Sequence, residues 1–270
     1  MKKGIGFVIS AAVLFAASVL TAQDADLNTA AAWNNKAVTE ADGALLVKTI
    51  RDAKGPRGVL LLGPKFTIDT TKKYTLKLSA RAVNFQGKDT SFVFAGFNVF
   101  DKNGRQISSH HASVLAGTLT EIAADAEKGT KIITVKDASK FKKDNKVLVR
   151  DAKEDLSDLP NINFIGDVKA IEQKGDVWEI TLARPINAPL VAGTMVREQN
   201  RGGYIYTAGA KHVGADWSTF QGKITGQKPG AWMPTTWPAG AVSAQVLILA
   251  NWATPKDLDT EIKDITLTVE

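Results

Sequence analysis

The chain has no cysteine. Disulfide staples, thiolate metal centres and a lipidated amino-terminal cysteine are therefore all excluded. Histidine is nearly as scarce, at three residues in 270, and neither a His-x-His nor a His-Glu-x-x-His spacing occurs. His110 and His111 are adjacent, so on an extended strand they would point to opposite faces and could not share one metal. A Gly-x-Ser-x-Gly nucleophile elbow and a glycine-rich phosphate loop are missing as well. Pairs of carboxylates can always be drawn from 28 acidic residues, so no glycosidase dyad is read from them. The expectation is a noncatalytic protein.

Long apolar runs are also lacking after the first twenty residues. Those residues have an export pattern: Lys2 and Lys3, an apolar stretch from Ile5 to Leu20, then the small pair Thr21 and Ala22. The stretch is too short and too rich in Gly, Ser and Ala for a membrane span. Residues 1–22 are read as a signal peptide cleaved after Ala22. A secreted, periplasmic or cell-surface protein without a transmembrane segment in its mature chain is expected. The formal net charge is a mild +6, with basic and acidic residues interspersed. Even the densest basic run, Lys136 to Lys146, contains Asp137 and Asp144, so no nucleic-acid surface is read.

What the chain does contain is short β segments separated by Gly, Pro, Asn and Asp. Strands are expected near Leu45–Ile50, Val59–Leu62, Tyr74–Arg81, Ser91–Phe100, Lys131–Val135, Lys146–Val149, Val168–Gln173, Val177–Leu182, Gly203–Thr207, Thr219–Thr225, Ala241–Asn251 and Ile262–Val269. Only Ala30–Ala44 approaches a helical period, and Asn34, Asn35 and Gly43 weaken it. In Tyr74–Arg81 the apolar set Tyr74, Leu76, Leu78 and Ala80 alternates with polar residues, which predicts one buried face. Ser91–Phe100 is apolar in both phases, with Phe92, Phe94 and Phe100 against Val93, Phe97 and Val99. That predicts a central strand covered on both sides. Asp101 to Gly104 reads as a hairpin turn rather than a calcium loop, because the later acidic ligands are missing.

The fold class expected is all-β, a jelly-roll sandwich built from residues 23–117 and 198–270. Residues 118–197 carry their own strand and turn signals and are read as an inserted module, which resembles the small β-barrel inserts of secreted and phage-associated proteins. Trp178 is assigned to the small core of that module. Glu154, Asp155 and Asp158 lie in one of its loops and have two readings, a divalent-ion site or a solvated loop halted by Pro160.

Trp33, Tyr74–Arg81, Phe97–Gly104, Trp217–Gly226 and Ile262–Leu267 together resemble carbohydrate-binding modules of the galactose-binding-like jelly-roll type. The resemblance implies two antiparallel sheets, pairing of first and last strands, and a ligand on the concave sheet or its rim loops. It also implies a structural calcium, for which Asp264 is the candidate. A pyranose stacks its C–H face on an aromatic ring while its hydroxyls seek polar side chains. Candidate carbohydrate-binding residues are therefore Trp232, Trp237, Trp252, Arg81, Gln245 and Asn251. Each of the three tryptophans has a second reading as a plug of the sandwich end, while Trp33 and Trp217 are assigned to structure. The partner expected is a glycan or polysaccharide. The alternative is an assembly protein of the envelope or extracellular matrix that associates with itself or an envelope partner, and a polysaccharide-processing enzyme is a distant third.

Overall fold

The structure, a computed structural model, describes residues 26–52, 55–84, 90–252 and 258–270. The proposed signal peptide lies outside them. The strands in chain order are β1 (Val38–Ala41), β2 (Ala44–Val47), β3 (Ile50–Asp52), β4 (Gly55–Arg57), β5 (Val59–Thr67), β6 (Tyr74–Val83), β7 (Ser91–Phe100) and β8 (Gln106–Ile107). A one-turn helix, α1 (Ser109–Ala112), follows. Then come β9 (Thr120–Glu121), β10 (Ile132–Val135), β11 (Lys146–Arg150), β12 (Phe164–Lys174), β13 (Val177–Leu182) and β14 (Met195–Asn200). The chain ends with β15 (Ile205–Val213), β16 (Ser218–Ile224), β17 (Ser243–Trp252) and β18 (Asp259–Val269). Ala30–Ala44 is not a helix: a single 3-10 turn at Ala30–Ala32 leads into β1. Among the described residues no helix is long and apolar enough to cross a membrane.

The protein is an all-β sandwich. One sheet has the order β1-β2-β18-β6-β16, and the other β15-β7-β17-β5 with β8 added to β7. All their pairings are antiparallel. Alternation dictates the packing. Tyr74, Leu76, Leu78 and Ala80 of β6 are buried with Val93, Ala95, Phe97 and Val99 of β7 and with Val246, Ile248 and Ala250 of β17 in one core. Each fully buried Leu or Phe contributes about 1.5–3 kcal/mol, so this interlayer is the main source of stability in a chain without disulfides. The last strand, β18, pairs with β2 as well as β6.

The first described segment seals the sandwich. Leu27 and Trp33 enter the core, and the Trp33 Nε1 donates to Leu27 O at 3.0 Å. Asn34 covers the outer edge of β5: its N donates to Leu62 O at 3.2 Å and its Oδ1 accepts from Leu62 N at 2.9 Å. At the opposite edge, β15 crosses so close to β16 that a Cβ on Gly222 would collide with the backbone of Thr207. Only glycine fits there. The β7–β8 turn is organised by Asp101, whose Oδ1 accepts from Asn103 N at 2.8 Å and Arg105 N at 2.9 Å.

The remaining strands form a third sheet of order β10-β13-β12-β11-β14-β9 over a separate core that includes Ile122, Ile133, Leu148, Ile180, Leu182 and Val196. Trp178 packs half-buried against it. This sheet is not closed into a barrel by a ladder; one isolated bridge, Ile122 to Val135, joins its ends. Chain entry and exit lie side by side, because Asn200 N donates to Ser113 O at 2.9 Å and Ser109 Oγ donates to Asn200 O at 3.0 Å. An entry and exit so clasped leave β8 and β15 free to join the same sandwich sheet.

Candidate functional site

The outer face of the β15-β7-β17-β5 sheet is where the structure gathers accessible aromatic rings. Ala244, Val246, Ile248 and Ala250 of β17 point into the core, so continued alternation would send Asn251 outward and Trp252 inward. A β-bulge after Leu249 reverses this. Asn251 adopts a φ of 57° and is fully buried, whereas Trp252 emerges 50% exposed. One extra residue in a strand swaps the faces of everything beyond it. Gly58 accommodates the result: a Cβ there would lie 2.9 Å from Trp252 Cε3.

Trp252 joins a connected set of rings. Phe94 lies 6.5 Å from it edge-on, Tyr206 is 4.6 Å beyond Phe94, and Tyr204 is 6.4 Å beyond Tyr206. Phe92 packs 4.7 Å from Phe94 and 4.5 Å from the His212 ring, whose Nδ1 is 2.9 Å from Thr90 Oγ1. Register explains the convergence: Phe94 faces Leu249 on one side and Ala210 on the other, and Leu249 in turn faces Leu60. The half-buried Tyr206 hydroxyl is held above its ordinary pKa, first by desolvation and then by Tyr204. Strand β7 is central, as expected, but it is not covered on both sides. Phe92 and Phe94 remain half-buried because the rings cover one another rather than meeting a further layer, and Phe100, also half-buried, lies under the Lys65 ammonium.

A polar row adjoins the rings on the same face, where Gln245 pairs in register with Asn98 and with Lys65. Gln245 Nε2 donates to Gly63 O at 2.8 Å, and the Lys65 ammonium sits 3.7 Å over the Phe100 ring. Asn98 is 5% exposed, and its Oδ1 has no hydrogen-bond partner. A buried acceptor in that condition costs about 1–3 kcal/mol until something donates to it.

The six candidate carbohydrate residues therefore do not form one site. Trp252 and Gln245 lie on the aromatic face. Arg81 lies on the outer face of the other sheet, on the far side of the sandwich, where its Nε and Nη2 both contact Glu261 Oε2 at 2.7 Å and its guanidinium stacks 4.6 Å over Trp217. Lys263 stacks on the same ring at 4.4 Å, which gives Trp217 a structural place. Trp237 is fully buried, with ring centroids 5.1 Å from Phe97 and 5.4 Å from Tyr74. It is a core plug with no face to offer a sugar. Trp232 is half-buried against the same core. Asn251 is a latch between the sheets: its Oδ1 accepts from Ser91 Oγ at 3.1 Å and Thr260 Oγ1 at 2.5 Å, and its Nδ2 donates to Val47 O at 3.1 Å. No polar atom of that amide is left for a ligand.

The metal expectations do not fit these residues. Asp264 is exposed, in a β18 bulge with a φ of 53°, and the backbone groups of the following residue are taken by Asn28, which bonds Ile265 N at 2.8 Å and Ile265 O at 3.1 Å. Among the described residues no group of three or more His, Asp or Glu side chains is placed to hold an ion. In the 154–158 loop the carboxylates diverge. Asp158 is spent on Arg197 at 2.7 Å and Asn161 at 2.8 Å, while Asp155 accepts from Ser157 N at 3.0 Å.

His110 and His111 lie on α1 rather than on a strand, and their rings are 4.1 Å apart instead of on opposite faces. Burial and the neighbouring His110 lower the His111 pKa to about 4, and its Nδ1 accepts from Ser108 N at 3.1 Å. His111 is thus neutral at ordinary pH, and burial lowers the pKa of His110 as well. The residues missed from sequence, Phe92, Phe94, Tyr204, Tyr206 and His212, had a signal. Phenylalanines recur in one phase of β7, and tyrosines are spaced by two. Comparison with known proteins finds no matching family model and no matching curated protein.

Proposed function

We propose that this is an exported, noncatalytic carbohydrate-binding protein whose ligand lies along the open aromatic face of the β15-β7-β17-β5 sheet. The observation that carries the reading is the β17 bulge, which takes a tryptophan that alternation would bury and sets it half-exposed beside Phe94. Contiguous exposed aromatic surface is costly to keep in water and marks interaction sites. Rings set side by side across three strands suit the C–H faces of an extended glycan, with Gln245 as a neighbouring hydroxyl partner.

The test is a glycan array followed by titration of the best glycan. Trp252→Ala is expected to weaken binding by about 1 kcal/mol or more, roughly fivefold, with the melting temperature nearly unchanged. Arg81→Ala, on the far side, should leave binding alone. Equal binding by Trp252→Ala, Phe94→Ala and the parent would overturn the proposal. Absence of any bound glycan, with self-association of the parent lost in Trp252→Ala, would put an assembly protein in its place.

A further inference from the structure

The aromatic sheet differs from the rest of the molecule in charge. Strands β5, β7, β8, β15 and β17 contain no Asp or Glu, whereas both other sheets carry carboxylates on their strands, such as Glu40, Glu261 and Asp264 on one and Glu121, Asp167 and Glu179 on the other. Solvated faces ordinarily mix the two signs. What the aromatic face does carry is Lys65, which is exposed and has no carboxylate partner among the described residues. Its ammonium lies 3.7 Å over the Phe100 ring, a contact that holds the charge without cancelling it. The acids that follow β5 and β7 are spent in their own turns: Asp69 Oδ1 accepts from Thr71 N at 2.9 Å, and Asp101 Oδ2 pairs with Arg105 at 2.8 Å.

Position turns this charge into a selector. Lys65 pairs in register with Gln245 at one end of the face, and the exposed Trp252 stands at the other. The run of β17 from Gln245 to Trp252 is about 20 Å long at the rise of a strand. Between them the half-buried Leu60 and Leu62 of β5 continue the apolar surface. A single sugar cannot span that length, but an oligosaccharide can. One unpaired lysine beside a long apolar stretch suits a chain with single carboxylates on otherwise apolar C–H faces. A densely sulfated chain would call for clustered basic residues instead. We propose that the glycan is an oligouronate, with its sugar faces along Trp252 and Phe94 and one carboxylate on the Lys65 ammonium. The proposal rests on the carbohydrate reading of this face and adds to it the charge and the length of the ligand.

The experiment is calorimetric titration with hexasaccharides of galacturonate, mannuronate, guluronate and glucuronate, each beside its neutral methyl ester, and with sulfated maltohexaose. For the best-bound pair the acid should bind about threefold more tightly than the ester at about 0.1 M salt, the effect of one exposed contact between opposite charges. The difference should shrink near 1 M, where the Debye length is about 3 Å. Lys65→Gln should remove the preference and Lys65→Arg should keep it. Lys77→Gln deletes the same charge from an exposed position on the opposite sheet and should leave the preference intact. The proposal is overturned by equal binding of acid and ester, by a loss of preference as large in Lys77→Gln as in Lys65→Gln, or by tighter binding of the sulfated chain than of every uronate. In each of those cases an ester affinity that still falls in Trp252→Ala leaves the carbohydrate reading standing. Binding of none of these oligosaccharides also overturns the proposal, and the glycan array then decides the carbohydrate reading separately.

Discussion

Glu198 of β14 is a carboxylic acid placed where a carboxylate is disfavoured, and its titration makes the stability of the third sheet depend on pH. The side chain is fully buried. Against that burial, Lys142 N donates to the two carboxylate oxygens at 2.9 and 3.2 Å, and the charges of Lys146 and Lys142 help weakly. Desolvation wins and raises the pKa from 4.5 to about 7. The folded state therefore holds this proton more tightly than the unfolded chain. The contribution to stability is fully present below about 4.5 and is lost as the pH rises through about 7. A shift of that size corresponds to at most about 3 kcal/mol. Urea unfolding of the parent and of Glu198→Gln across pH 4.5 to 8 isolates the effect. The glutamine can still accept from Lys142 N but cannot titrate. The difference, variant minus parent, should grow with pH and make Glu198→Gln the more stable protein at pH 8. A difference that is flat across the window, or that falls with pH, would refute the reasoning.

Trp237→Ala should cost about 3–5 kcal/mol, measured by urea unfolding, because the indole is enclosed by Tyr74 and Phe97. Trp237→Phe should cost much less, since it also deletes an indole N–H that has no partner. Asn251→Ala should destabilise by about 2–4 kcal/mol in the same assay, because it leaves Val47 O and the hydroxyls of Ser91 and Thr260 without the amide that joins them. Asn251→Gly, which tolerates the positive φ, should cost less than the alanine.

The sandwich was legible in the sequence wherever alternation runs unbroken. The buried face of β6 follows directly from Tyr74, Leu76, Leu78 and Ala80, and β7 and β13 begin and end at the residues expected. Legibility failed where a backbone atom, not a side chain, does the work. The Ala30–Ala44 stretch looked nearest to helix because alanines carry no strand signal, yet Asn34 pairing with Leu62 holds it against β5. The single helical turn that carries His110 and His111 was not legible, because two adjacent histidines do not reveal a one-turn helix. The Gly- and Pro-rich connection around Trp237 left rim ligand and sandwich plug both open, and full burial of the indole against Tyr74 and Phe97 decides for the plug.

The candidate site was partly legible, and its errors share one cause. Gln245 and Asn251 were grouped because they share a phase on β17, and an unbroken strand would have put both on the open face. The bulge after Leu249 intervenes, so that Asn251 turns inward to tie Val47, Ser91 and Thr260 together. The same slip is what frees Trp252. Latch and platform are therefore one feature of the backbone seen from its two sides. Asp264 behaves in parallel on β18, where a second bulge with positive φ is bridged by the amide of Asn28. A strand's sequence reports its period but not its register against a neighbour, and a one-residue slip leaves the composition of the segment untouched. Asn and Asp tolerate the left-handed backbone that such slips require. An Asx residue late in an otherwise regular strand, followed by an aromatic or apolar residue, is thus the place where a predicted face should be allowed to reverse.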